Sequence, residues 1–228
     1  MERREGKKRG KFNAAIKAVE LVKDGWLIGI GSGTTVEVFL NELGKRIKEE
    51  ELEIYGVPSS YQSHILAIKN SIRVVDLFQF PELDACFDGA DQVDKSRNCI
   101  KGGGGALTRE KIIAHASKKV YIMVDYSKVA DCLNIAVPVE VLPFAYGFVR
   151  KKLSLIGKPI LREGKGKLGP IITDNGNFIL DCDFGEIKNP EDLETYLDTI
   201  PGVIESGIFS KRIIDEVIVG TEENSYIL

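Results

Sequence analysis

Residues 26–40 read Trp-Leu-Ile-Gly-Ile-Gly-Ser-Gly-Thr-Thr-Val-Glu-Val-Phe-Leu. The first five form a short apolar run with strand character, and from Val36 to Glu49 the apolar residues recur at helical spacing. Gly31-Ser-Gly-Thr-Thr35 therefore joins a strand to a helix. Such a junction offers unpaired backbone N–H groups and the positive end of a helix dipole. Gly31 and Gly33 allow close backbone approach, while Ser32, Thr34 and Thr35 add hydroxyl donors. Ser32, Gly33, Thr34 and Thr35 are thus candidate phosphate ligands, and a tight turn with a threonine cap is the plainer reading. Walker A is excluded because the loop has no lysine. The dinucleotide fingerprint begins at Gly29-Ile-Gly31 but meets Thr34 where its last glycine belongs. A monophosphate suits the loop better than a pyrophosphate.

The same alternation extends on both sides. A helix is expected over Phe12–Lys23, preceded by a basic run from Arg3 to Lys11 that reads as a solvated, frayed start. Strands are expected at Leu52–Val57, Arg73–Val75, Asp84–Phe87 and Lys119–Val124, with helices at Tyr61–Lys69 and Leu107–Ala116. Strands alternating with helices imply an α/β fold with a mainly parallel sheet covered on both faces. After about Asn134 the pattern changes. It gives strands at Val137–Leu142, Pro159–Arg162, Pro170–Thr173, Asn177–Cys182 and Val203–Phe209, with helices at Phe144–Ile156 and Glu191–Thr199. Asn175-Gly176 is a hairpin signal, and Asn189-Pro190 a cap and first-turn proline. This order fits a small α+β unit of the split βαβ (ferredoxin-like) type. Glu216–Gly220 is a last apolar strand able to return to the first sheet.

Composition narrows the function classes. A net charge of −3 with 29% charged residues gives no global field to draw in nucleic acid or a membrane surface. No stretch approaches the roughly 18 apolar residues of a membrane span. Cys86, Cys99, Cys132 and Cys182 are scattered without a C-x-x-C pair, which favours reduced thiols and a cytoplasmic setting. His64 and His115 fall in expected helices and in no ligand-spaced cluster, so a zinc site is not expected.

Two further segments carry chemistry. Phe87-Asp-Gly-Ala-Asp-Gln-Val-Asp94 follows an apolar strand, so Asp88 and Asp91 should emerge at the same sheet edge as the first loop. Asp and Gly are also ordinary turn formers. Ala90 breaks a calcium-loop pattern, while a looser magnesium site of two carboxylates and a substrate phosphate stays open. Next comes Lys101-Gly-Gly-Gly-Gly-Ala-Leu-Thr-Arg-Glu110. Four glycines before a helix cost much backbone entropy on folding, which favours a close approach of Gly102, Gly103, Gly104 and Gly105 to a ligand over a passive linker. Glu110 falls in the first helical turn, either as a dipole-stabilising acid or as a general base beside the ligand.

Taken in order, Gly29-Ile-Gly-Ser-Gly-Thr-Thr35, Asp88-Gly-Ala-Asp91 and Lys101-Gly-Gly-Gly-Gly-Ala-Leu-Thr-Arg-Glu-Lys111 closely resemble type A ribose-5-phosphate isomerase. The likeness continues through Asp125-Tyr-Ser-Lys128, Val137-Pro-Val-Glu-Val-Leu-Pro143, Thr173-Asp-Asn-Gly-Asn177 and Ile200-Pro-Gly-Val203. The resemblance implies a Rossmann-like domain, here 1–134 with 205–228, carrying a smaller α+β domain at 135–204, in a homodimer or homotetramer. It implies interconversion of ribose 5-phosphate and ribulose 5-phosphate, in the non-oxidative pentose phosphate pathway, without metal or cofactor. Glu110 takes the place of the family's base, accompanied by Asp88, Asp91 and Lys101. Ser32–Thr35 take that of its phosphate loop, and Lys11 and Lys128 those of two active-site lysines. Gln92 replaces a glutamate common in the family and is expected to be peripheral. The rival class is a non-catalytic sugar-phosphate sensing domain, which would keep the loop without needing the base.

Overall fold

The computed structural model describes residues 2–164, 166 and 168–228. It runs through α1 (Glu2–Val19), β1 (Leu27–Ile30), α2 (Thr34–Glu50), β2 (Tyr55–Pro58), α3 (Tyr61–Lys69) and β3 (Arg73–Val74). There follow β4 (Ala85–Gly89), β5 (Gln92–Asp94), β6 (Cys99–Ile100), α4 (Leu107–His115), β7 (Val120–Asp125) and β8 (Val129–Ala130). Then come β9 (Val137–Val141), α5 (Tyr146–Leu153), β10 (Lys158–Leu161), β11 (Phe178–Asp183) and α6 (Pro190–Asp198). The chain closes with β12 (Val203–Ser206), β13 (Ile208–Phe209), β14 (Glu216–Gly220) and β15 (Ser225–Ile227). It forms two compact units, one of Met1–Ala90, Arg109–Val129 and Arg212–Leu228, the other of Asp91–Thr108 and Ala130–Lys211. The division drawn from sequence differs most in residues 91–108, which it left with the parallel sheet.

In the first unit the sheet order is β15-β14-β7-β4-β1-β2-β3. Every neighbouring pair is parallel except β14 with β15. Counting the parallel strands along the chain gives the order 3-2-1-4-5-6 of the doubly wound fold, whose connection reverses between β1 and β4. One face of the sheet carries Ile28, Ile30, Ala85, Phe87, Met123 and Ile218, packed with Ala14, Ala15 and Ala18 of α1 and Val36, Phe39, Leu40 and Leu43 of α2. Phe87 stacks between Phe39 and Tyr121, at 4.8 and 5.2 Å between ring centroids. The basic N-terminal run is not frayed: α1 starts at Glu2 and continues into this core. Glycine makes that docking possible, since a Cβ on Gly220 would lie 1.8 Å from the Gly10 carbonyl oxygen. The helix also ends at Val19, short of the expected Lys23.

The second unit holds an antiparallel sheet in the order β10-β11-β9-β12. With α5 after β9 and α6 after β11, this is the expected βαββαβ arrangement. Its core contains Val137, Val139, Val141, Val149, Leu153, Leu180 and Leu197. A small ladder pairs β6 antiparallel with β5 and with β13. Several expected elements come out differently. The helix expected over Phe144–Ile156 is a 3-10 turn, Pro143–Ala145, followed by α5. The strand expected at Val203–Phe209 breaks at Gly207 into β12 and β13, which enter different sheets. There the backbone passes so near Lys101 that a Cβ on Gly207 would lie 2.3 Å from the Lys101 carbonyl oxygen. Pro170–Thr173 forms no strand; Glu163 and Pro170 make only an isolated bridge. The Asn175-Gly176 turn does form, with Thr173 and Asn177 bonded at 2.9 Å and Gly176 at φ 83°. Asn189 precedes α6 but makes no side-chain cap bond, leaving Pro190 as the start signal.

Candidate active site

In a doubly wound sheet the carboxyl ends of the strands flanking the reversal form the natural crevice. Here those ends are Ile30 of β1 and Gly89 of β4. The loop after β1 turns at Gly33, whose φ of 96° favours glycine, and leads straight into α2. The first N–H groups of α2, from Thr34 onward, lie at the positive end of its dipole. Lys11 of α1 adds a cation, its Nζ donating to Thr34 Oγ1 at 2.7 Å. Ser32 Oγ lies 2.7 and 2.9 Å from the hydroxyls of Ser59 and Ser60, which follow β2 at the same sheet edge. Gln62 Oε1 accepts from the Gly33 N–H at 3.2 Å. Ser59, Ser60 and Gln62 had no motif to mark them. Their signal was positional, since Ser59 and Ser60 directly follow the strand beside β1.

Asp88 lies inside β4, two residues beyond Cys86 and on the same face. Its Oδ1 accepts from the N–H groups of Ser32, at 3.1 Å, and Gly89, at 2.7 Å. A Cβ on Gly31 would fall 1.8 Å from that oxygen, so only glycine lets β1 end so close to this carboxylate. Asp88 is 2% exposed.

Glu110 reaches the same edge from the far side of the core. α4 leads into β7, so it runs antiparallel to the strands, and its N-terminus lies toward their carboxyl ends. A Cβ on Gly29 would meet Ile113 at 2.2 Å, which seats α4 against that point of β1. Glu110, three residues earlier, lies on the same helix face about 4.5 Å nearer the carboxyl edge. Gly29 and Gly31 share a strand face, as do Cys86 and Asp88, and Gly29 faces Cys86. Glu110 and Asp88 therefore occupy one face of the sheet, at the level where β1 gives way to the phosphate-type loop. Glu110 is 4% exposed. Lys128 ends the 3-10 turn Tyr126–Lys128, directly after β7 and at the same edge. Asp125 fixes that turn by accepting from the N–H and hydroxyl of Ser127.

Asp91, Lys101 and Gly102–Gly105 belong to the second unit, whereas Asp88 belongs to the first. The chain passes from the first unit to the second after Ala90. Asp91 Oδ2 accepts from the Gly103 N–H at 2.7 Å. Lys101 is 3% exposed, and its Nζ lies 5.1 Å from the centre of the Phe209 ring. The glycine run turns at Gly102 and Gly105, both at positive φ, and is closed by a 2.9 Å bond from the Gly105 N–H to the Gly102 carbonyl. Gln92 is buried in this unit. Its amide spans Asn134 and Ile135, donating to Asn134 Oδ1 and accepting both backbone N–H groups. Cys182 is an inert core thiol, pushed up to about 12 first by burial and then by Asp183. Among the described residues, no group of three or more His, Cys, Asp or Glu is gathered to hold a metal ion, and no helix is long and apolar enough to cross a membrane.

The sequence profile of the family described as ribose 5-phosphate isomerase A (phosphoriboisomerase A) matches residues 55–224. A ribose-5-phosphate isomerase A of Archaeoglobus fulgidus is 61% identical over 222 residues, covering 96% of this chain and 98% of its own. The solved ribose 5-phosphate isomerase A of Methanocaldococcus jannaschii superposes with a TM-score of 0.91 at 43% identity, over 96% of this chain and 97% of its own. A D-ribose-5-phosphate isomerase solved in complex with phospho-erythronic acid superposes with a TM-score of 0.94 at 44% identity, over 98% of both chains.

Proposed function

The chain belongs to the ribose 5-phosphate isomerase A family, and on that premise we propose that it interconverts D-ribose 5-phosphate and D-ribulose 5-phosphate through an enediolate. The observation that carries this reading is the position of Glu110. A buried carboxylate stands at the head of α4, on the sheet face and at the edge shared by Asp88 and the Gly31–Thr35 loop. A sensing domain would need the loop but not that carboxylate.

In the open-chain aldose the C2 proton is acidified by the neighbouring carbonyl. Glu110 removes it as general base and returns it to C1, giving the ketose. The phosphate is held by Ser32, Gly33, Thr34 and Thr35 with Lys11, and Lys128 contributes to substrate binding from the end of β7. This remote grip fixes the reacting carbons in register, so that binding energy is used at the step that moves the proton. The enediolate carries its charge on O1 and O2. Lys101 and N–H groups of Gly102–Gly105 stabilise that charge, and preorganised donors of this kind are often the largest single contribution. Asp88 and Asp91 move the proton between the two oxygens and assist ring opening. A phosphorylated four-carbon acid, such as the one bound by the relative above, presents a planar carboxylate resembling the enediolate.

The compartment we assign is the cytoplasm, in keeping with four cysteines that are all thiols, and the assembly we assign is a homodimer or homotetramer. Incubation with ribose 5-phosphate in heavy water tests the reaction. Ribulose 5-phosphate should form with deuterium at C1, at a rate unaffected by a chelator. Ketose formed with no solvent deuterium, at any extent of conversion, would point to hydride transfer instead.

A further inference from the structure

A run of four glycines has more backbone freedom than any other four residues, so something must hold Gly102–Gly105 in one conformation. Arg162, in the segment after β10, supplies part of that restraint. Its Nη1 donates to the carbonyl of Gly102 at 2.8 Å and to that of Gly103 at 3.2 Å. Asp181 of β11 orients the guanidinium from the other side, accepting from Nε at 2.8 Å and from Nη2 as the second arm of a bidentate pair. The Arg162 side chain is 14% exposed, so this is a shielded fork rather than a surface ion pair.

The geometry has a direct consequence for the opposite side of the loop. No peptide bond here is cis, and in a planar trans peptide the N–H points away from the C=O. The plane between Gly102 and Gly103 is therefore pinned at both ends, by Arg162 at its carbonyl and by Asp91 Oδ2 at its N–H. The plane between Gly103 and Gly104 is held by Arg162 at its carbonyl, which turns the Gly104 N–H the other way. Gly104 is exposed and a Cβ there would meet nothing within 4 Å, so a ligand has room to approach this peptide.

We infer that Arg162, oriented by Asp181, is a positioning residue for the isomerisation: it fixes the carboxylate of Asp91 through Gly103 and presents the Gly104 N–H as a donor to the enediolate. The inference rests on the isomerase reading and adds to it the device that makes the glycine run rigid. The cationic fork also polarises both peptide units, which strengthens the N–H donors at their far ends. Arginine is required for this, because lysine cannot serve two carbonyls and a bidentate carboxylate from one fixed plane.

Arg162→Ala, Arg162→Lys and Asp181→Asn test the assignment against the parent enzyme, with kcat, KM and thermal midpoint measured for each. Since a small misplacement of catalytic groups costs on the order of 100-fold, Arg162→Ala should lower kcat by about 10- to 100-fold while KM for ribose 5-phosphate changes little. Added guanidinium ion at millimolar concentration should restore part of the lost kcat, which a merely structural role would not allow. Arg162→Lys and Asp181→Asn should show smaller losses in the same direction, and they decide the matter if the alanine variant does not fold. Folded variants with kcat within about twofold of the parent, or a loss that guanidinium leaves untouched, would overturn the assignment. If the parent itself forms no ribulose 5-phosphate, the isomerase reading falls first.

Discussion

Glu110→Gln is expected to lower kcat by about 10²–10⁴-fold, the range a positioned general base supplies, and to leave KM for ribose 5-phosphate nearly unchanged. The split follows from geometry. Glutamine keeps the shape and burial of the side chain at the head of α4, so the fit of Ile113 against Gly29 and the loop at Ser32–Thr35 are undisturbed. What it loses is the capacity to accept a proton from carbon. An interaction made only in the transition state appears in kcat and kcat/KM equally, whereas a lost binding contact appears in KM. Steady-state assay of the two enzymes, with circular dichroism to verify folding, separates the outcomes. Near-normal turnover by Glu110→Gln would remove Glu110 from the base role.

The largest effect on stability is expected at Glu140, the penultimate residue of β9. This carboxylate is fully buried and accepts four side-chain bonds. Oε2 takes the Thr108 hydroxyl at 2.5 Å, and Oε1 takes Thr173 Oγ1 at 2.8 Å, Asn177 Nδ2 at 2.8 Å and Asn175 Nδ2 at 3.1 Å. Thr173 and Asn177 are themselves buried. Glu140→Ala leaves their donors without an acceptor and opens a cavity in the sheet, so unfolding stability should fall by about 3–5 kcal/mol. Urea unfolding measures this as a lower midpoint at constant slope. A loss below about 1 kcal/mol would mean that water or a neighbouring group replaces the carboxylate. Thr108, held by this cage, is the second residue of α4. The cage also explains why Val137–Pro143 and Thr173–Asn177 stand out in the sequence although neither holds a proposed catalytic group.

The parts legible in the sequence were those whose determinants are local. β1, α2 and α3 have periodicity and a glycine junction within a few residues of one another, and α3 was placed at Tyr61–Lys69 without error. β5 and β6 were missed because they are two or three residues long and include Gln92 and Asp94, so neither length nor hydropathy marks them. The break at Gly207 was invisible because it answers to the carbonyl of Lys101, far away in the chain. The basic run Arg3–Lys11 looks frayed in the sequence because its charges look solvated, whereas its docking depends on Gly10 meeting Gly220.

The site divides the same way. Ser32–Thr35, Asp88 and Glu110 could be singled out because strand ends and helix starts announce themselves. Arg162 could not, since its partner Gly102 lies 60 residues earlier. Ser59, Ser60 and Gln62 join the phosphate-type loop only through the pairing of β1 with β2. Long-range pairing is what single-sequence periodicity lacks, and it is where the supports of the site reside.

The most direct test of the account is a crystal structure of this enzyme with a phosphorylated four-carbon acid, read for one distance. With the phosphate on the Thr34 and Thr35 N–H groups, a Glu110 carboxylate oxygen should stand about 3–3.5 Å from the carbon equivalent to C2 of the sugar. A phosphate bound elsewhere, or a Glu110 carboxylate turned away from that carbon, would contradict it.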